Sequence, residues 1–414
     1  MGIESKINDI LNQTPAVKRI IKRAYQRSMY LISPKLKSEG DIQKISPDDG
    51  YEYFFGYYDK SPWNSTDRYI LSLRAKDTAT DVSPLEAAEI VMFDTQDNNR
   101  MHLISSTQTW NVQQGCMLQW LVPDFDDTII FNDYRENRYC SVIINVHTKE
   151  ERVLPMPVYS VSSDGKFALT LDFSRLHRLR KGYGYANLEE TTRDEKLPQS
   201  ACVWRMDLES GTVTELLAYT DFAQFEPREE MSGAEHKVNH IMLNPSNNRF
   251  MVLHRWFNGQ RKYSRLVTVN IDGTDMYNLS DDDMISHCFW KNDSEIIAYE
   301  RKQEFGNGYF LMVDQTPEFK AVLTELTSDG HPSYSPNRQL LVTDTYPDRA
   351  RVAKVMVAEG ETIKTVARVF APFKYDNDLR CDLHPRWNRA GTVINFDSVF
   401  EGKRGLYTVS VADE

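Results

Sequence analysis

The sequence predicts an all-β fold: a seven-bladed β-propeller with a short basic helical N-terminal extension. Three observations carry this expectation. Seven stretches share one order, in which a polar turn leads into a short apolar run, then a second apolar run and another turn. Most of these units recur every ~40–60 residues, the scale of propeller blades. The 21 Tyr and 19 Phe in 414 residues are of types that favour strands. Two separate β-sandwiches would leave the fixed order unexplained.

The first halves of the units are "SPWNSTDRYILSLR" (61–74), "VPDFDDTIIFND" (122–133), "SSDGKFALTLD" (162–172), "NPSNNRFMVLH" (244–254), "KNDSEIIAYE" (291–300), "SPNRQLLVTD" (335–344) and "WNRAGTVINFD" (387–397). Each joins turn residues to a β-prone run, which reads as a hairpin feeding a buried strand. The second halves are "AEIVMFDTQDN" (88–98), "CSVIINVHTKE" (140–150), "ACVWRMDLESG" (201–211), "RLVTVNIDGT" (265–274), "YFLMVDQ" (309–315), "RVAKVMVAEG" (351–360) and "GLYTVSVADE" (405–414). The spacing between the third and fourth units is nearer ~80 residues. "LEETTRDEKLP" (188–198) and "DFAQFEPREEMSGAEHK" (221–237) lie inside it, as surface insertions or covers for the channel mouth. Trp63, Trp110, Trp120, Trp256, Trp290 and Trp387 read as blade core.

Residues 46–414 form the propeller in this reading, and residues 1–45 the extension. Residues 1–40 carry a net +5, against −16 for the rest of a chain whose formal charge is −11. In "TPAVKRIIKRAYQRSMYL", Val17, Ile20, Ile21, Ala24 and Leu31 fall near helical period, with Lys18, Arg19, Lys22, Arg23 and Arg27 between them. Thr14 and Pro15 supply a helix start. A basic amphipathic helix of this kind suits peripheral contact with an anionic membrane, or packing against the propeller. The acidic balance argues against nucleic acid as partner. Five widely spaced Cys, none in a C-x-x-C pair, fit a reducing compartment. With no signal-peptide core and no run of ~20 apolar residues, the expectation is a cytoplasmic protein, free or membrane-peripheral. "MGIESK" has Lys6 where a myristoylation signal wants Ser or Thr. Oligomeric state is not legible.

Propeller sites form around the central channel, so the residues just ahead of each unit are the informative ones. They include "KVNHIMLNP" with His240, "ISHCFW" with His287, "SDGHPSYSP" with His331 and "RCDLHPRW" with His384. Four of nine histidines occupy equivalent positions in four consecutive units, where the repeat would gather them. Imidazole ligates metals and acts as a base near neutral pH. Together with Cys381 or Asp382, this cluster suits a divalent ion, zinc or manganese. "HRLRKGYGY" adds Arg178, Arg180 and Lys181, a basic spot for an anionic ligand. Its glycines lack the Gly-Lys-Ser/Thr ending of a phosphate loop.

"NIDGTDMYNLS" and "SYSPNRQLLV" resemble the TolB-like propellers across roughly residues 50–414. "HIMLNP", "SHCFW" and "DLHPRWN" resemble segments of oligogalacturonate lyases, which are seven-bladed propellers. That resemblance implies His240 as catalytic base and His287 and His384 as metal ligands. The family has a further His where this chain has Asp382. "FFGYYDKSPWN", "WNVQQGCMLQW" and "LDFSRLHRLRKGYGY" resemble propeller ulvan lyases and related proteins of bacterial surface-polysaccharide gene clusters. This second resemblance implies Tyr183 or Tyr185 as acid or base and Arg205 as the arginine on the acidic sugar. Gln113, Gln114 and Asn132 stand in the regions of those lyases' catalytic histidines. The expectation is a carbohydrate-active propeller working on an acidic oligo- or polysaccharide by β-elimination. Its metal site draws on His287, His331, Cys381, Asp382 and His384, and its substrate contacts on Arg178, Arg180, Tyr185 and Arg386. The alternative is a non-catalytic propeller, binding glycan or protein in surface-polysaccharide biosynthesis or serving a glycosyltransferase, with a structural zinc.

Overall fold

One latch recurs in the turns that open the blades. The side-chain oxygen of Asn64 accepts the backbone N–H groups of Arg68 and Tyr69. Asn244 does the same for Asn248 and Arg249, and Asn388 for Thr392 and Val393. Ser162 serves Lys166 and Phe167. A short polar side chain thus satisfies the donors of a tight turn and delivers the chain into an apolar strand.

The computed structural model describes residues 15–33, 36–123 and 125–411. It shows seven antiparallel sheets in a ring, each meandering outward from the channel. Blade 1 is Glu52–Phe54, Tyr69–Ala75, Ala88–Asp94 and Arg100–Thr107, and blade 2 is Gln119–Trp120, Thr128–Arg135, Arg138–Asn145 and Glu151–Leu154. Blade 3 is Ser160–Val161, Phe167–Leu171, Ala201–Asp207 and Val213–Ala218. Blade 4 is Glu235–Leu243, Arg249–Asn258, Arg261–Asn270 and Tyr277–Ser280, and blade 5 is Ile285–Trp290, Glu295–Lys302, Gly306–Val313 and Phe319–Val322. Blade 6 has Ser333–Tyr334, Leu340–Asp344, Val352–Glu359 and Thr362–Phe370, and blade 7 has Arg386–Trp387, Val393–Ser398 and Gly405–Ser410. All seven sequence units supply the second and third strands of a blade.

The N-terminal segment closes the ring. Ile42–Lys44 pairs with Gly405–Ser410 as the outer strand of blade 7, and Ser38–Glu39 adds a fifth strand to blade 6. The sequence reading placed these residues in the extension. They are too short and polar to announce themselves as strands, and ring closure alone orders them. The preceding helix, Pro15–Ile32, rests on the rim of blade 6. Arg23 pairs with Asp376 at 2.8 Å, and Tyr30 stacks on Phe370 and meets Phe373 edge-on. Thr14 lies outside the described residues. No helix among those described is long and apolar enough to cross a membrane.

Tryptophans join neighbouring blades. The indole N–H of Trp120 donates to the Pro62 carbonyl, that of Trp290 to Met242 and that of Trp387 to Ser333. All six tryptophans read as core are buried. Replacing one by Ala would cost about 3–5 kcal/mol. The insertion at 188–198 is pinned from within: Arg175, fully buried, bonds Glu190 at 2.5 Å and the carbonyls of Glu195, Lys196 and His236.

Candidate active site

The segment ahead of blade 1 is drawn into the centre. Arg386, 1% exposed, donates to the carbonyls of Gly56 and Tyr57 and pairs with Asp397 at 2.7 Å. Asp397 in turn accepts the N–H of Phe55 at 3.1 Å. Gly56 sits at φ +123°, and a Cβ there would lie 2.7 Å from the Gln114 carbonyl oxygen. Only glycine fits that turn, which puts Tyr57 and Tyr58 at the hub with ring centroids 4.8 Å apart.

Four histidines surround these two rings. His240 lies at a bulge in the first strand of blade 4, at φ +55°, and His287 at a bulge in that of blade 5. His331 and His384 lie just before the first strands of blades 6 and 7. A bulge turns one side chain out of the pleat, so the His240 and His287 imidazoles leave their own sheets for the channel. Tyr57 meets His240 and His384, each at 5.2 Å between centroids; Tyr58 meets His331 at 5.3 Å and His287 at 5.8 Å. The Tyr57 hydroxyl lies 2.5 Å from His240 Nε2. Burial first, then the charges around His287 and Arg255, hold His240 well below the usual histidine range. Its imidazole is therefore neutral at neutral pH and free to take a proton. Burial likewise pushes the Tyr57 phenol far up, leaving it a proton donor.

His331, Asp382 and His384 place one ligand atom each within 4.8 Å of one another. Asp344 holds His331 Nδ1 at 2.8 Å, which leaves Nε2 free. The Nε2 atoms of His331 and His384 are both buried without a hydrogen-bond partner among the described residues. A carboxylate behind a ligating imidazole is the usual support of a metal site, and two imidazoles with one carboxylate suit manganese, iron or zinc. The donor set fits a divalent cation. Burial would raise the Asp382 carboxyl, but Arg380 beside it prevails and keeps it ionised.

Other residues singled out from the sequence fall in different places. Tyr183 reaches the cluster, edge-on to Tyr57 at 6.2 Å, with the Arg180 guanidinium 4.9 Å from its ring. His287 faces His331 at 4.0 Å between centroids, with its Nδ1 on Asp329 at 3.1 Å, and it stands outside the triad. Cys381 points instead into an apolar cluster with Tyr375 and Val399, where burial pushes its thiol up to about 12. Arg205 lies over the Phe167 ring in the third strand of blade 3, paired in register with Leu169, and is not brought to the cluster. Tyr185 is fully buried, stacked on Phe173 and bonded to Asn132. Arg178 is spent on Glu190 and Glu235, and Arg386 on backbone and Asp397. These last three build the site rather than face into it. The sequence reading missed Tyr57, Tyr58, Asp329 and Asp344. The pair "YY" after a glycine and the "SDGH" spacing were the available signals.

Solved structures share this fold at low identity. The oligogalacturonate lyase of Vibrio parahaemolyticus matches with a TM-score of 0.62 and 12% identity, over 90% of this chain and 94% of that one. An oligogalacturonate lyase in complex with manganese gives 0.64 and 17%, over 92% and 96%. The β-propeller domain of the Trilobed protease from Pyrococcus furiosus gives 0.51 and 10%, over 89% and 96%. No protein-family model matches the chain, and no curated protein does. Propellers host many activities, so the likeness speaks to the fold.

Proposed function

We propose that the protein is a metal-assisted lyase that cleaves uronate-containing oligo- or polysaccharides by β-elimination. One observation carries this reading. A neutral buried histidine, hydrogen-bonded to a tyrosine, stands beside two imidazoles with unpartnered Nε2 atoms, grouped with a carboxylate within metal-binding reach. The likeness to oligogalacturonate lyases, one of them in complex with manganese, is in keeping with it.

The proton beside a uronate carboxylate is weakly acidic. A divalent cation held by His331, Asp382 and His384 would neutralise that carboxylate and lower the energy of the carbanion-like transition state. His240 accepts the proton. The bond from the neighbouring carbon to the glycosidic oxygen breaks as the carbon–carbon double bond forms. Tyr57 gives its proton to the departing oxygen and takes one back from His240, so the protein ends unchanged. Tyr183, against the Tyr57 ring, and Arg386, through the Tyr57 carbonyl, keep the hydroxyl in place.

The test is ultraviolet absorbance of unsaturated product across a panel of uronate polymers and oligomers, with manganese or zinc added. A signal that His240→Ala abolishes in a folded variant supports the reading. A flat trace from folded, metal-loaded protein across the panel removes it.

We also propose that the N-terminal helix docks on an anionic membrane surface. Ile20, Leu31 and Ile32 are 69%, 74% and 76% exposed on a helix with five Lys/Arg and no acidic residue. Its charge is complementary to such a surface.

A further inference from the structure

Blade 4 carries an unusual pairing at its channel end. Lys237 in its first strand stands directly opposite Arg255 in its second, where like charges repel. Lys262 opposes Phe257, two positions along from Arg255, and so shares their face. Lys237 Nζ and Arg255 Nε are buried with no hydrogen-bond partner among the described residues, though these side chains belong to residues only 1% and 6% exposed. Arg255 reaches the Ile285 carbonyl at 3.4 Å, and the Lys237 ammonium lies 5.7 Å from the Phe257 ring.

The nearby acids are committed elsewhere. Glu235, on the same face, is held by Arg178 at 2.6 Å. Asp329 is held by His287 and Ser286. Burial, then Arg255, Arg180 and Lys262, keep the Lys237 ammonium well below the ordinary lysine range. Arg255, then burial, brings Lys262 down to about 8. An uncompensated buried cation is costly, and here two sit together with two more at the rim. Lys237 precedes His240 by three residues on one strand, roughly 10 Å along it.

We propose that Lys237 and Arg255, with Arg180 and Lys262 at the rim, form an oxyanion site for the charged group of the sugar next to the one that His240 attacks. The substrate is then an oligosaccharide bearing at least two anionic groups, one on the metal side of His240 and one here. The site's existence stands on the unpartnered cations; its place beside the scissile sugar rests on the lyase reading. A neighbouring uronate carboxylate and a phosphate ester offer the same oxyanion chemistry.

The experiment is calorimetric binding and thermal unfolding of wild type and Lys237→Met with galacturonate, trigalacturonate and inorganic phosphate. Wild type should bind the trimer at least about tenfold more tightly than the monomer, the scale of hydrogen bonds to charged groups. In Lys237→Met that gain should collapse. Without ligand, Lys237→Met should melt above wild type, because the cost of burying an unpartnered amine is gone; this also shows that the variant folds. Phosphate that competes with the trimer in wild type alone would extend the site to phosphate esters. Phosphate without effect, beside a trimer gain that collapses in the variant, would restrict it to carboxylates. Equal affinities in the two proteins, or a wild type that binds neither trimer nor phosphate, would overturn the proposal. Absence of unsaturated product with the binding difference intact would instead fault the lyase reading alone.

Discussion

Tyr57 and His240 share one hydrogen bond, and under the proposed lyase function that has a measurable consequence. If the pair moves protons as a unit, each single change removes most of what both removes. Tyr57→Phe should fold, since it keeps the ring among its neighbours, and should lower kcat by about 10²–10⁴-fold. His240→Ala should cost a similar factor, and the double variant little more than either. Additive losses, measured as kcat on one oligouronide, would show that the two residues act separately. The four histidines were legible because a repeat puts equivalent positions at one radius. Tyr57 was not, because its place depends on Arg386 and Asp397, more than 300 residues away, folding the glycine turn inward. Arg205 and Cys381 misled for the opposite reason. Each lies near a matching motif in sequence, but strand alternation turns Arg205 away onto Phe167, and the loop ahead of blade 7 packs Cys381 against Tyr375 and Val399.

At the scale of elements, the strands were read well because turn chemistry and β-prone runs agree locally, while the closing strands 38–44 lack both. Contacts between blades carry their own signature. Glu300, in the second strand of blade 5, is fully buried, with Lys302 at 3.1 Å and the Ser280 hydroxyl of blade 4 donating to it. Burial raises its carboxyl to about 7 despite Lys302 and Ser280. The folded state therefore holds this proton more tightly than the unfolded chain, whose glutamates titrate near ~4.3. Glu300's contribution is fully present below about pH 4 and is lost as pH rises through about 7, by on the order of 4 kcal/mol. In Glu300→Gln the fall in stability across that window should flatten, whatever the variant's absolute stability. Urea midpoints at pH 5, 6, 7 and 8 read this directly; parallel slopes for the two proteins would remove Glu300 as the cause. The N-terminal helix makes a second prediction at this scale. The protein should sediment with vesicles containing phosphatidylserine and not with neutral ones, and should lose that binding when Ile20, Leu31 and Ile32 are changed to Ser or when salt is raised. Equal partition to both vesicles would exclude the docking.

The ring couples the ends of the chain to the site. Tyr57 enters from blade 1, His384 from blade 7, and Arg386 of blade 7 holds the Tyr57 carbonyl. Blades 1 and 7 meet through Arg386 and Asp397, and residues 42–44 join them covalently by supplying the outer strand of blade 7 before the chain runs on into blade 1. The fourth strand of that blade is thus also a thread that ties the Tyr57 segment to the blade carrying His384. Removing residues 1–33 takes away the helix and leaves both closing strands. That truncation should keep cooperative unfolding and keep the rise in Tm on adding manganese or zinc. Removing residues 1–45 takes away the thread. The loss should lower Tm and also weaken the metal-dependent rise, because a cation at His331, Asp382 and His384 stabilises only the closed arrangement that holds them. His384→Ala in the full chain gives the reference in which the rise is absent while the ring remains closed. If the longer truncation melts lower but shows the full metal-dependent rise, then blades 6 and 7 hold the triad on their own, and ring closure serves stability without shaping the site.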